Sequence, residues 1–487
     1  MSTLIRRSFC RFMLFLLLLS AKGLSLHAQL CTGSLGDPVV NITFGTSNNS
    51  NSGVTTPGYT FVNSSCPNDG FYSVTRSTAN CFGNSWHTIP EDHTGNGAFM
   101  LVNASYDPGD FFVTTVTGLC PNTIYEFAAW IMNVINTAGA IEPNITFKIE
   151  TPSGIIINQF NTGSISSTSS PQWKQYGFFF TTTAGNPDII LRMTNNAPGG
   201  IGNDVALDDI TFRPCGPVLT TAVAGNTDLI NVCEINQEVY SFTSNLSAGF
   251  VSPAYQWQVS QDESITWVDI PGANSSVFLR NPTSAGKYAY RLTVSENGNA
   301  GISACRIASK KHIVNVHGVP SVNAGGDRIL IKGDQVTLTA SAVGDDLTYA
   351  WTPTDNLSSG VVLNPIVTAE NDITYTLKVT SVYGCFNEDA LNVKVINGLF
   401  VPNAFTPDGN SKNDYWRIPY LDPFSSTVTV YNRYGQVVYR SADATLGWPT
   451  AWDGKYKGRE QPAGIYIYII RFSNNPRILS GTLTLIR

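Results

Sequence analysis

The chain has 487 residues, enough for three or four domains at about 150 residues each. Hydrophobic residues make up 42% and charged residues only 13%, against about 25% charged in a typical soluble domain, which excludes coiled coils, highly charged disorder and basic nucleic-acid arms. A formal net charge of −6 gives no reason to expect a phosphate-backbone partner, so no nucleic acid is expected.

Arg6, Arg7 and Arg11 precede the apolar run Phe12 to Leu19, and small and polar residues follow as far as Ala28-Gln29. This layout predicts a secretory signal peptide over residues 1–28. The run is about half of the ~20 residues a spanning helix needs, and no later segment is apolar enough, so no transmembrane segment is expected. Cys10 lies in the leader. Cys31, Cys66, Cys81, Cys120, Cys215, Cys233, Cys305 and Cys385 follow it, none in a CxxC pair. Sparse cysteines in an exported chain read as disulfides. The pairing read here is Cys31–Cys215, Cys66–Cys81 and Cys233–Cys305, with Cys120 and Cys385 unpaired. An even count does not settle connectivity.

Past the leader, period-2 alternation dominates, as in Val336-Thr-Leu338-Thr-Ala340 and Tyr288-Ala-Tyr290-Arg-Leu292, with Gly, Pro, Asn, Asp and Ser clusters between runs. Short strands at this spacing predict an all-β fold, a multidomain chain of β-sandwiches. Boundaries fall near Pro217, Gly318 and Gly398. Residues 31–217 hold 5 basic and 13 acidic residues, a net of −8, and residues 398–487 hold 10 basic and 6 acidic, a net of +4.

Residues 31–217 suit a jelly roll. The stretch Asp92-His93-Thr94-Gly95-Asn96-Gly97-Ala98-Phe99 and the stretch Asn203-Asp204-Val205-Ala206-Leu207-Asp208-Asp209-Ile210, with Cys215 behind it, resemble MAM domains and related carbohydrate-binding jelly rolls. The resemblance implies a structural calcium held in part by the Asp-Asp-Ile strand. The usual partner carboxylate is absent at Phe44-Gly45. If Ile210 points inward, period 2 puts Asp208 on the same face. A buried Asp208 then needs either a cation, shared with Asp92, or several hydrogen-bond donors. No other cofactor is expected. His87, Glu91, Asp92 and His93 read either as a zinc site or as a polar loop; no third His lies nearby. Sugar faces stack on exposed aromatic rings. Trp86, in a Gly/Asn-rich loop, is the leading ligand candidate; Trp173 is open between core and surface; Trp130, after Phe127-Ala128-Ala129, reads as core.

Residues 218–317 read as an Ig-like sandwich, with Trp257 as the buried Trp of its central strand and Ser284-Ala-Gly286-Lys-Tyr288 resembling a tyrosine corner. Residues 318–397 resemble PKD-type domains through Gly333-Asp334, Tyr349-Ala-Trp351-Thr-Pro353, Asn364-Pro365, Tyr375-Thr-Leu377 and Gly384-Cys385. The resemblance implies a spacer.

In residues 398–487, Phe405-Thr406-Pro407-Asp408-Gly409-Asn410 leads to Asn413-Asp414, then to Asn432-Arg433-Tyr434-Gly435, Trp452-Asp453-Gly454, Gly464-Ile465-Tyr466 and the ending Leu485-Ile486-Arg487. This series resembles the gliding motility-associated C-terminal domain, the type B sorting domain of type IX secretion cargo. The resemblance implies Sec export, handling by the type IX machinery and an extracellular or outer-surface location. Gly435 suits a hairpin needing positive φ. Asp408, Asn410, Asn413 and Asp414 read either as calcium ligands or as an Asx-turn loop.

No GxSxG, HExxH or Cys/His signature is present, and an enzyme is not expected. The favoured reading is an adhesin or carbohydrate-binding protein, meeting glycan or extracellular matrix through residues 31–217. The alternatives are a structural matrix or stalk component and a polysaccharide-degrading enzyme, for which Glu126 and Glu150, expected on adjacent strands, could pair, though nothing marks them.

Overall fold

The computed structural model describes residues 30–487 apart from 47–53, 55, 186–187, 224–228, 236–238, 282–283, 422–423, 442–450 and 474–475. The signal-peptide reading of residues 1–28 lies outside the described residues. The structure is nearly all β, a succession of separate sheets, and no described helix is long and apolar enough to cross a membrane. The chain divides into two compact units: one holds residues up to Ile230 and again Gln237–Val316, the other Asn231–Asn236 and His317–Arg487.

The first unit opens with two facing sheets. One runs in the order Lys174–Thr181, Ile124–Asn133, Val205–Gly216, Phe99–Val102, Phe71–Thr75, Thr60–Phe61, with Ser34–Leu35 and Val40–Ile42 also pairing to Val205–Gly216. The other runs Gly109–Val116, Ile189–Asn195, Asn144–Glu150, Ile156–Ser164. Alternate residues of both, among them Phe127, Ile131, Phe147, Leu191, Leu207 and Phe212, meet in one buried core. The other face of the first sheet carries a smaller core of Trp86, Phe99, Leu101, Met132 and Ala206. Period 2 in these strands thus buries both faces, one under a sheet and one under loops.

A second pair of sheets follows in the same unit. Leu219–Val223, Tyr240–Leu246 and Val277–Arg280 form one; Pro253–Ser260 and Gly286–Glu296 are central to the other. Trp257 is fully buried between them, and the Tyr288 hydroxyl donates to Ser284 O at 2.9 Å, as the tyrosine-corner pattern predicts. In the second unit, Arg328–Ile331, Phe386–Ile396, Ile373–Thr380 and Thr348–Thr352 make a four-stranded sheet over buried Trp351. The last sheet runs Ala404–Phe405, Ile478–Leu485, Gly464–Phe472, Ser426–Tyr431, Val437–Arg440. Its core holds Trp416 and Trp452. Burying one Trp ring contributes roughly 4–6 kcal/mol, from about 150–250 Å² at about 25 cal/mol per Å². The tryptophans therefore anchor sandwiches too small to have a deep aliphatic core.

Two of the three disulfides read from the sequence form, Cys31–Cys215 and Cys66–Cys81. Cys233–Cys305 does not. Cys305 ends a short 3-10 turn packed against the first sandwich, where nearby Asn299 donates to Pro121 O and Thr123 Oγ1, and it bonds to Cys120. Cys233 bonds to Cys385 inside the second unit, where Glu234 N donates to His317 O. Cys120–Cys305 links the two sandwiches of the first unit, Cys233–Cys385 lies within the second, and sequence spacing carries no signal for either.

Candidate functional site

The Asp-Asp-Ile strand breaks the alternation read from the sequence. Val205 and Leu207 point into the core between the sheets, and Ala206 points to the opposite face. Asp208 pairs with Trp130, yet Thr211 pairs with Ala128, so one extra residue is accommodated between them. Asp209 absorbs it at φ 46°, a β-bulge. Beyond the bulge Ile210 and Phe212 point inward again. Asp208 therefore shares the outer face with Trp130 and does not share the face of Ile210, a correction to the period-2 expectation.

On that outer face Asp208 is fully buried beneath the loop around His93. Its two oxygens accept N–H groups of Asp209, at 2.8 Å, and His93, at 3.0 Å. Burial first, then the charges of Asp209 and Asp92, push its carboxyl up to about 7. Asp92 is also buried. Burial opposes its ionisation, but the N–H groups of Gly97, Gly95 and Asn96 and the Thr94 hydroxyl outweigh burial and hold its carboxyl below the ordinary range. Asp92 Oδ2 accepts from Thr94 at 2.9 Å, whereas Oδ1 has no hydrogen-bond partner. Gly97 is obligatory here: a Cβ on it would lie 2.5 Å from Asp92 Oδ2 and 3.0 Å from Gly45 O. The calcium donor set is thus partial: one partnerless oxygen on Asp92, and two on Asp208 that each already accept one N–H. Among the described residues no group of three or more His, Cys, Asp or Glu is placed to hold a metal ion. His87 is buried, and burial lowers its pKa against the opposing hydrogen bond to the Thr168 backbone.

His93 lies over this carboxylate pair. Its ring stacks on Trp130 at 3.7 Å between centroids, meets the Trp173 edge at 6.4 Å, and bonds Asp209 through Nδ1 at 2.7 Å. Trp130 and Trp173 are both half-buried. Trp130 is therefore not a core residue. Trp86 is the reverse case: its ring is 3% exposed and its Nε1 donates to Asp204 Oδ2 at 3.1 Å, so the leading ligand candidate of the sequence has no free face. Asp204 also accepts from Ala104 N at 2.9 Å, and burial pushes it up to about 7. Asp204, Asp209 and Trp130 were legible only as parts of a strand. The acidic pair inside an otherwise apolar strand was the signal available.

Glu126 and Glu150 are not adjacent. Glu126 belongs to the larger sheet and accepts Cys31 N at 2.6 Å; Glu150 belongs to the smaller sheet and holds Arg192 at 3.2 Å. A cleft of about 440 Å³ lies between the two sandwiches of the first unit, walled by Ile124, Phe179 and Phe250. Two of its polar side chains are engaged: Glu296 accepts the N–H groups of Val251 and Ser252, and Asn299 donates to Pro121 O.

In residues 398–487 the motif residues separate into core and turns. Phe405, Trp452 and Tyr466 are buried together, with Phe405 and Tyr466 ring centroids 5.4 and 5.0 Å from Trp452. Gly454, at φ 74°, packs against Leu485 and Pro407, where a Cβ would meet them at 2.9 and 3.1 Å. Asp453 accepts Lys455 N, and Gly464 opens the strand Gly464–Phe472. Asn432 accepts the N–H groups of Tyr434 and Gln436, with Arg433 and Gly435 in the turn and Gly435 at φ 75°. Asp414 accepts those of Gly409 and Ser411, Asp408 accepts that of Asn410, and Thr406 N donates to Asn413 O. The Asn432 and Asp408 bonds, each to the N–H two residues on, are Asx turns, while Asp414 closes the loop onto residues before it.

Residues 399–485 match the family model of the CHU_C type IX secretion signal domain. No curated protein matches the chain. Solved structures that resemble it include three N-terminal domains of the highly immunogenic outer capsid protein of bacteriophage RB49, at 10% identity and TM-score 0.23, covering 55% of this chain and 98% of that one. The CBM22-1 xylan-binding domain from Paenibacillus barcinonensis Xyn10C resembles it at 11% identity and TM-score 0.24, covering 38% and 97%. The human desmocollin-1 ectodomain does so at 11% identity and TM-score 0.23, covering 85% and 91%.

Proposed function

We propose that this chain is a non-enzymatic protein of the outer cell surface or extracellular space. Residues 399–485 carry a type IX secretion signal domain, which supports export by that route. In this reading residues 31–217 are a carbohydrate-binding-like jelly roll, residues 218–317 an Ig-like and 318–397 a PKD-like spacer, and residues 398–487 meet the secretion machinery.

The observation that carries glycan binding is the half-buried aromatic cluster of Trp130, His93 and Trp173, with Asp209 hydrogen-bonded beside it. A sugar's C–H face stacks on such rings while a fixed carboxylate accepts its hydroxyls. The test is a glycan array with the full chain. Binding to a defined glycan class, lost in Trp173→Ala and in His93→Ala, supports the reading. A blank array from folded protein favours a structural matrix or stalk role. Turnover on a polysaccharide panel would contradict a non-enzymatic role.

A structural calcium is a second reading of the cluster below those rings, favoured by the partnerless Asp92 Oδ1. Asp92 and Asp208 would hold it with backbone oxygens, supplying rigidity alone. Added calcium then raises the melting temperature of the first unit and chelator lowers it. Equal melting in both leaves the carboxylates as a hydrogen-bonded pair.

A further inference from the structure

The strand Gly464–Phe472 buries Tyr466 and Ile470 on one face and turns Ile465, Ile467, Ile469 and Arg471 to the other. Register carries that outer face across the sheet. Arg471 stands beside Thr427 and Ile478, Ile469 beside Thr429, and Thr429 beside Arg440. One end of the face thus brings two arginines to either side of two threonines on the intervening strand. These four residues line a shallow depression of about 330 Å³. The other end is apolar: Ile465 is 64% and Ile467 49% exposed.

Two other arginines of the second unit are ion-paired. Arg477 pairs with Asp334 and Arg487 with Glu460. Among the described residues Arg440 and Arg471 have neither an ion-pair nor a hydrogen-bond partner. Two guanidinium groups on one face repel each other, and an anion between them removes that repulsion. One fork engages both oxygens of a carboxylate. Two forks, with the half-buried Thr427 hydroxyl between them, suit the larger acceptor set of a phosphate. An oxyanion alone would leave the isoleucines in water. The net charge of +4 over residues 398–487 suits an anionic surface.

We propose that this sheet face docks on an anionic lipid surface, with Arg440 and Arg471 clamping a headgroup phosphate and Ile465 and Ile467 entering the interface. The amphipathic arrangement, cationic at one end and apolar at the other, is that of interfacial binders.

The experiment is co-sedimentation of the full chain with vesicles of phosphatidylcholine alone and of equimolar phosphatidylcholine and phosphatidic acid. The chain is expected to sediment with the second and not the first, and inorganic phosphate is expected to compete. The double variant Arg440→Gln/Arg471→Gln is expected to lose at least about tenfold in affinity, with Arg440→Lys/Arg471→Lys in between. Ile467→Thr is expected to weaken vesicle binding. An unchanged melting temperature shows that each variant is folded. Sedimentation unaffected by the arginine substitutions overturns the proposal. So does binding of inorganic phosphate, seen as chemical-shift changes on this sheet, without vesicle binding, which would leave an oxyanion site only.

Discussion

Asp204 shows how one buried side chain sets a pH dependence. Its carboxyl lies in the first unit between Trp86 Nε1 and Ala104 N, and burial raises its pKa to about 7. Unfolded, an Asp titrates near 3.9. Between these values the folded state binds the extra proton, so the contribution of Asp204 to stability is fully present below about pH 4. It is lost as pH rises towards 7, with a slope of at most about 1.4 kcal/mol per pH unit. Asp208 acts in the same direction through its own raised pKa. Replacing Asp204 by Asn removes the titration. The variant's melting temperature is expected to change less between pH 5 and pH 8 than the wild type's, as calorimetry of the full chain would read. An unchanged pH slope would show that Asp204 ionises normally. At the same scale, Trp173→Ala is expected to abolish glycan retention while leaving melting nearly unchanged, because the ring is only half-buried.

At the scale of the element, glycines with the same φ have different weights. Gly435 sits at φ 75° in an open turn where a Cβ would meet nothing within 4 Å. Gly435→Ala is expected to cost about 1 kcal/mol, the conformational penalty alone. Gly454 has nearly the same φ but faces Leu485, Pro407 and Phe405. Gly454→Ala is expected to cost about 2–4 kcal/mol, because overpacking adds to the same penalty. Urea denaturation followed by Trp fluorescence would check both, and equal costs would show that the packing at Gly454 yields. The turn motifs were legible because Asn432, Gly435 and Gly454 act through their own backbone. The bulge at Asp209 was not, since no residue there marks a strand for an extra residue. One bulge reversed the facing of Asp208 and moved the candidate site to the outer face.

For the whole molecule, two disulfides close the longest loops that tertiary structure alone reveals. Cys120–Cys305 closes 185 residues and Cys233–Cys385 closes 152. Crosslinks over such loops stabilise by about 2–5 kcal/mol, largely through the unfolded chain. Cys120→Ser/Cys305→Ser is expected to lower the melting temperature of the first unit, while Arg291 still bonds Asp37 across its two sandwiches. Mass spectrometry of non-reduced peptides should recover both linkages. Recovery of Cys233–Cys305 instead would overturn the assignment.

The sequence by itself determined the all-β class, the succession of sandwiches and the C-terminal secretion signal, because alternation, turn residues and short motifs act over a few neighbouring positions. Trp257 was readable as core for the same reason: it stands in a strand with an apolar face. Tertiary structure alone decided that Trp86 is buried on Asp204 while Trp130 stays half-exposed, that Glu126 and Glu150 lie in different sheets, and that Cys305 meets Cys120. Each depends on which distant segments come together in space, and that is fixed by the joint packing of both sheets and their loops, not by any local pattern.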